Sequence, residues 1–286
     1  MTLIGGIDSL GQTIILLGAE TACLNIAFLS LYLRPVSHYD CKRAVRPRER
    51  GTKRRPIRCQ ALTASPVTDE NFYFVMADRF ANGSAANDTG GISGDRLQHG
   101  FDPTDKGFYQ GGDLKGLLDR IDYIHGLGTT SIWLTPSFKN KAVQLEDGPS
   151  AGYHGYWVTD FTQIAPHLGT NAELRALVDA AHAHGMKVYF DIITNHTADV
   201  IGYEEGARTA YVPKDKKPYR TATGQPFDDR DYAGTGNFPA LDPQTSFPYT
   251  PVLEGDEANL KVPSWLNDAS LYHNRGNTTF SGEDSY

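Results

Sequence analysis

Three apolar runs separated by two helical periodicities constrain this chain more than any other feature. The runs are Asn71-Phe72-Tyr73-Phe74-Val75-Met76, Ser131-Ile132-Trp133-Leu134-Thr135-Pro136 and Val188-Tyr189-Phe190-Asp191-Ile192-Ile193. Rich in β-branched and aromatic residues, they read as strands. After the first, Gly111-Gly112-Asp113 opens a helix with Asp113 as its N-cap. Leu114, Leu117, Leu118, Ile121 and Ile124 recur at spacings of three and four, and Gly126 or Gly128 ends the helix. After the second, Thr170-Asn171-Ala172-Glu173 forms a capping box, and Leu174, Leu177, Val178 and Ala181 carry that helix to Gly185. Strand, helix, strand, helix, strand implies an α/β fold with parallel strands and right-handed crossovers.

Charge divides the 286 residues more sharply than the net value of −7 suggests. Residues 34–58 hold ten Lys and Arg against Asp40 and Glu49. The rest of the chain beyond them holds seventeen basic residues against thirty acidic ones. An acidic body of this kind does not bind nucleic acid by bulk charge. Residues 3–33 are apolar but broken by Asp8 and Glu20, leaving uncharged runs 9–19 and 21–33. Both are shorter than the roughly 20 apolar residues of a spanning helix. No basic n-region and no A-x-A site marks a signal peptide. Membrane contact is therefore confined to one reading of residues 1–33, as an anchor. The others are a poorly ordered leader with a basic linker, or a segment foreign to the domain that follows. Cys23, Cys41 and Cys59 all precede residue 60, so the main body needs no disulfide and the compartment stays undetermined. On these grounds the chain divides into 1–66, a leader without packing on the rest; 67–196, the strand–helix body; and 197–286, a segment rich in Pro, Gly, Tyr and Asp.

Chemistry gathers where the strands end. The third run continues into Thr194-Asn195-His196, and polar groups at the C-terminal ends of parallel strands are where α/β barrels build their sites. Asp78-Arg79-Phe80 follows the first strand, and Tyr153-His154-Gly155-Tyr156-Trp157 lies in the loop after the second. Together with Trp133-Leu134-Thr135-Pro136 and the pattern Asp191-x-x-x-Asn195-His196, these segments in this order resemble the α-amylase family of glycoside hydrolases. The resemblance runs from about residue 68 to the end. It implies a partial TIM (β/α)8 barrel, its first three strands, with an irregular β-rich domain inserted after the third.

The same resemblance implies roles. His154 and His196 would hydrogen-bond the sugar beside the cleaved bond. Tyr156, next to Trp157, would stack under that sugar, and Asp191 would organise the surrounding hydrogen bonds. The implied ligand is an α-glucan oligosaccharide or polysaccharide, in an extracellular setting. Calcium is the implied cofactor. Asn195 matches one ligand position, although Ala240 in Phe238-Pro239-Ala240-Leu241-Asp242 stands where an acidic ligand is usual. A second calcium site resembles that of cyclodextrin-forming members: Asn82, Ser84, Asn87, Asp88, the Gly111 carbonyl and Asp113. The same loop also reads as an ordinary Asn/Asp/Gly turn. Tyr211, Tyr219, Phe227, Tyr232 and Trp265 read equally as lining a glucan groove or as local core.

Retaining hydrolysis needs a nucleophilic and an acid/base carboxylate about 5 Å apart. The family carries them on its fourth and fifth strands, and no segment here matches those motifs. Glu204, Glu205, Asp228 and Asp229 do not match them either. Two classes remain: part of a glucan-active hydrolase or transglycosylase, or a non-catalytic sugar-binding or membrane-tethered member.

Overall fold

The computed structural model describes residues 3–7, 13–15 and 67–277, apart from 146–147, 207–208 and 254. In chain order its principal elements are β1 (Leu3–Ile7), β2 (Thr13–Ile15), β3 (Phe72–Val75), α1 (Leu114–Asp119), α2 (Ile121–Gly126), β4 (Ser131–Leu134), β5 (Phe138–Asn140), β6 (Val158–Ile164), α3 (Asn171–Ala183) and β7 (Lys187–Ile192). The main sheet has the order β2-β1-β7-β4-β3. Its last three strands are parallel, with Phe74 opposite Trp133 and Trp133 opposite Tyr189. The βαβαβ order expected from the sequence is thus present.

Alternation sorts the sheet residues onto two faces. Val75, Ile132, Leu134 and Val188 pack against Leu114, Leu117, Ile121, Ile124, Leu177 and Ala181, and this layer is the main hydrophobic core. The other face carries Phe72, Phe74, Trp133 and Tyr189, whose rings meet edge to face at 5.0–6.4 Å. Phe74 on that face is 55% exposed.

Both expected helix starts are capped. The Asp113 carboxylate accepts from Gly116 N–H at 2.6 Å. Thr170 and Glu173 form the reciprocal capping box. The first helix is two segments rather than one, because Arg120 leaves helical geometry at φ −115° and ψ 15°. The apolar register survives the break, with Leu114, Leu117, Ile121 and Ile124 all buried.

Two regions depart from expectation. The stretch after β4, expected as a long loop, forms an antiparallel pair in which Asn140 faces Val158 and Phe138 faces Ile164 across bulges. The leader was expected to make no packing on the body, yet β1 pairs antiparallel with β7, Leu3 opposite Ile192 and Ile7 opposite Val188. An apolar extended segment on an open strand edge satisfies backbone groups that would otherwise be unpaired. The cysteines, the basic stretch 34–58 and most of the apolar runs 9–19 and 21–33 lie outside the described residues. Among the described residues no helix is long and apolar enough to cross a membrane.

Beyond residue 196 the backbone is irregular. Its ladders are two residues long, Gly202–Tyr203 with Pro251–Val252 and Tyr219–Arg220 with Pro226–Phe227. Arg275 anchors this segment: 2% exposed, it donates from Nε to Val212 O at 2.7 Å and lies 4.7 Å from the Tyr219 ring centroid.

Candidate functional site

Tyr156 is the hub of the site. Its backbone N–H donates to His154 Nδ1 at 3.0 Å. Its backbone carbonyl accepts from His196 Nε2–H at 2.9 Å. Its hydroxyl donates to Asp191 Oδ2 at 3.0 Å. One residue therefore joins the loop after β4 to the polar end of β7, and the five residues expected at the sugar, His154, Tyr156, Trp157, Asp191 and His196, stand together.

These bonds also fix the histidine tautomers. A carbonyl only accepts, so His196 carries its proton on Nε2. A backbone N–H only donates, so His154 Nδ1 is bare and its proton sits on Nε2. Burial first, and the nearby Arg79 charge second, pull the His154 pKa down to about 4. The imidazole is neutral at pH 7. Burial pushes the Asp191 carboxyl up, against the pull of the Tyr156 hydroxyl. Asp191 Oδ1 is buried and has no hydrogen-bond partner among the described residues. A buried acceptor left open inside a polar cluster is suited to a ligand donor.

The loop geometry has local causes. Gly155 sits at φ +85°, and a Cβ there would lie 1.8 Å from Pro136 O, so only glycine fits. Asn140 Oδ1 accepts from Trp157 N–H at 2.7 Å and fixes the end of the loop. Trp157 meets the His154 ring edge-on at 4.5 Å. Asn140 escaped the sequence reading because its partner is brought close only by the unforeseen β5–β6 pairing.

The residues of the second expected calcium site also lie close together. Asn82 Nδ2 donates to Asp88 Oδ1 at 2.8 Å, and Asn87 Nδ2 to Asp113 Oδ2 at 3.2 Å. A Cβ on Gly111 would lie 2.7 Å from Asn82 Nδ2 and 2.9 Å from Asp88 Oδ1, so its backbone faces the same point. Ser84 contributes a backbone N–H to Asn82 Oδ1. Asn87 Oδ1 is buried without a partner among the described residues. Burial raises the Asp88 pKa, and the Asp113 charge adds to it. An orphaned oxygen and two mutually repelling carboxylates suit a hard cation. By contrast Asn195 is exposed, and Asp242 Oδ1 accepts from Gln244 N–H in its own turn. Among the described residues no three His, Cys, Asp or Glu side chains cluster for a metal, so any cation here rests largely on amide and backbone oxygens.

Three of the remaining acids have structural duties. Glu205 accepts from Thr250 N–H, Asp228 pairs with Arg230, and Asp229 pairs with Lys214. Of the aromatics beyond residue 196, Tyr219, Phe227 and Tyr232 contact one another, Phe238 or Phe247 as local core, while Trp265 is 42% exposed. The Tyr156 cluster contains a single carboxylate. It can orient hydroxyl groups and stack on a ring, but alone it offers no acid–nucleophile pair.

The family model for the α-amylase catalytic domain matches residues 74–275. An α-amylase from Streptomyces lividans is 56% identical over 221 residues, covering 77% of this chain and 24% of that protein. A cyclomaltodextrin glucanotransferase from Thermoanaerobacterium thermosulfurigenes is 36% identical over 44% of this chain and 18% of its own length. The solved structure of the cyclomaltodextrin glucanotransferase CldA shares 41% identity over 48% of this chain and 27% of that chain, with a TM-score of 0.41. The chain thus spans about a quarter or less of the length of these relatives.

Proposed function

The chain belongs to the α-amylase family of glycoside hydrolases, and on that premise we propose that it supplies the substrate-positioning half of a site for α-glucans. The observation that carries this reading is the convergence of His154, His196 and Asp191 on Tyr156. His154 Nε2–H donates to a sugar hydroxyl, and Asp191 Oδ1 accepts from one. The exposed His196 ring offers Nδ1 as a further acceptor. Tyr156 and Trp157 give the apolar faces against which a pyranose ring packs. In this reading β3, β4 and β7 are the first three strands of a (β/α)8 barrel, and residues 197–286 are a domain inserted after the third.

Positioning supplies orientation but neither leaving-group protonation nor a covalent intermediate. The 286-residue polypeptide by itself therefore binds glucan without cleaving it. Calcium belongs to the same reading. Asn82, Asn87, Asp88, Asp113 and the Gly111 carbonyl would hold it, and its contribution would be to brace the loop that leads into α1.

Calorimetric titration of the 286-residue chain with maltoheptaose, beside a reducing-sugar assay on soluble starch, tests this. The expected result is weak binding, reduced roughly 3- to 10-fold in His154→Ala or His196→Ala, as loss of a hydrogen bond of about 1 kcal/mol implies. No reducing ends should appear. Release of sugar above a His196→Ala control, or binding indifferent to both histidines, would overturn the proposal.

A further inference from the structure

We infer that Arg79 is a positioning residue for the sugar-facing loop: acting through Tyr153, it fixes the His154 ring with Nε2–H turned to the ligand. This rests on the reading of His154 as a sugar contact.

Arg79 ends a short turn, Ala77–Arg79, directly after β3. Three acceptors fix its guanidinium plane. NH1 donates to Asp78 Oδ2 at 2.6 Å and to Phe108 O at 2.8 Å, and NH2 donates to Lys106 O at 2.7 Å. So fixed, the group lies 3.9 Å from the Tyr153 ring centroid. A planar cation over an aromatic face is an attractive contact with a defined orientation, which a lysine does not reproduce. Tyr153 in turn meets His154 edge to face at 5.2 Å. The chain of contact runs from an ion pair on the buried Asp78, through one ring, to the imidazole.

The groups around His154 leave Arg79 as the relevant charge. Tyr153, Tyr156 and Trp157 surround it from its own loop. Asp191 and His196 reach it only by way of Tyr156, and Asp78 is engaged by Arg79 and by the Gln110 and Gly111 amides. A proton on His154 Nδ1 would oppose both the Tyr156 N–H and the guanidinium. Held neutral, the ring presents one directed donor without burying a charge against the sugar.

The test is a ¹⁵N-histidine NMR titration of the 286-residue chain, with maltoheptaose affinity measured on the same samples. Arg79→Gln should raise the His154 midpoint, mix its tautomers and weaken maltoheptaose roughly 3- to 10-fold. Arg79→Lys keeps the charge but not the plane, and should restore the midpoint more than the affinity. Tyr153→Leu leaves the Arg79–Asp78 pair intact, so it decides the matter where Arg79→Gln fails to fold; tautomer mixing is expected there too. A His154 unmoved by Tyr153→Leu, in a folded chain that binds maltoheptaose, overturns the inference alone. A chain that binds no maltoheptaose while His154 still answers to Arg79 overturns the sugar reading and leaves the coupling supported.

Discussion

His167 shows how much a single buried ring can set. It stacks on Tyr109 at 3.9 Å with 2° between the planes, and its Nε2–H donates to His99 O at 2.6 Å. Burial, the largest influence, takes its pKa down to about 4. The unfolded chain would hold the proton near 6.5, so between pH 6.5 and 4 the unfolded state binds more protons. Stability therefore falls as pH falls through that window, by roughly 2–3 kcal/mol from this residue. His154 contributes with the same sign. His167→Phe should keep the stack, lose the bond to His99 and flatten the acid limb. Urea denaturation at pH 7 and pH 4.5 checks this, and an acid limb as steep as that of the unsubstituted chain would refute it. At this scale the sequence was readable where chemistry sat at a strand end, as with Asp191 and His196. Arg79 was named only as part of the segment after the first strand and given no role, because its acceptors Lys106 and Phe108 come close only through folding of a distant loop.

Elements divide by how local their causes are. Both helix starts were legible because caps act over three residues, Asp113 on Gly116 and Thr170 on Glu173. The parallel strands were legible because each is a continuous apolar run. The β5–β6 pair was not, because β5 has three residues and the ladder is interrupted by bulges. The loop from Asn82 to Gly91 lies between these cases: its residue types announced a turn or a cation loop, and the folded chain closes it by internal hydrogen bonds, Asn82 to Asp88 and Asn87 to Asp113, while leaving Asn87 Oδ1 without a partner among the described residues. Asp113 also caps α1, so replacing it would cost stability even without metal. Asp88 has no such duty. Calcium should raise the melting temperature of the chain, and Asp88→Ala should abolish most of that rise, whereas Asn195→Ala should leave it. Thermal melts with calcium and with chelator provide the measurement, and a larger loss from Asn195→Ala would reverse the ranking of the two sites.

At the scale of the molecule the sheet is asymmetric, and the asymmetry follows from composition on each face. Helices cover the aliphatic face of Val75, Ile132, Leu134 and Val188. Phe74 on the other face stays 55% exposed, and a ladder of rings runs from it through Trp133 and Phe72 to Tyr189. The edge of β3 away from β4 is also unpaired in the sheet. An aromatic face beside an open edge is the arrangement that draws a second chain, since both apolar area and backbone groups gain from contact. The pairing of β1 on β7 covers the opposite edge and leaves this one unchanged. The 286-residue chain should therefore self-associate at micromolar concentration. Phe74→Thr places a β-branched residue in the strand and removes the exposed ring of this face, so it should shift sedimentation toward monomer without loss of helix signal in circular dichroism. An Ile121→Ser control would instead cut into the covered core and lose that signal. Should sedimentation velocity find the unsubstituted chain monomeric at these concentrations, the aromatic face is not an association surface.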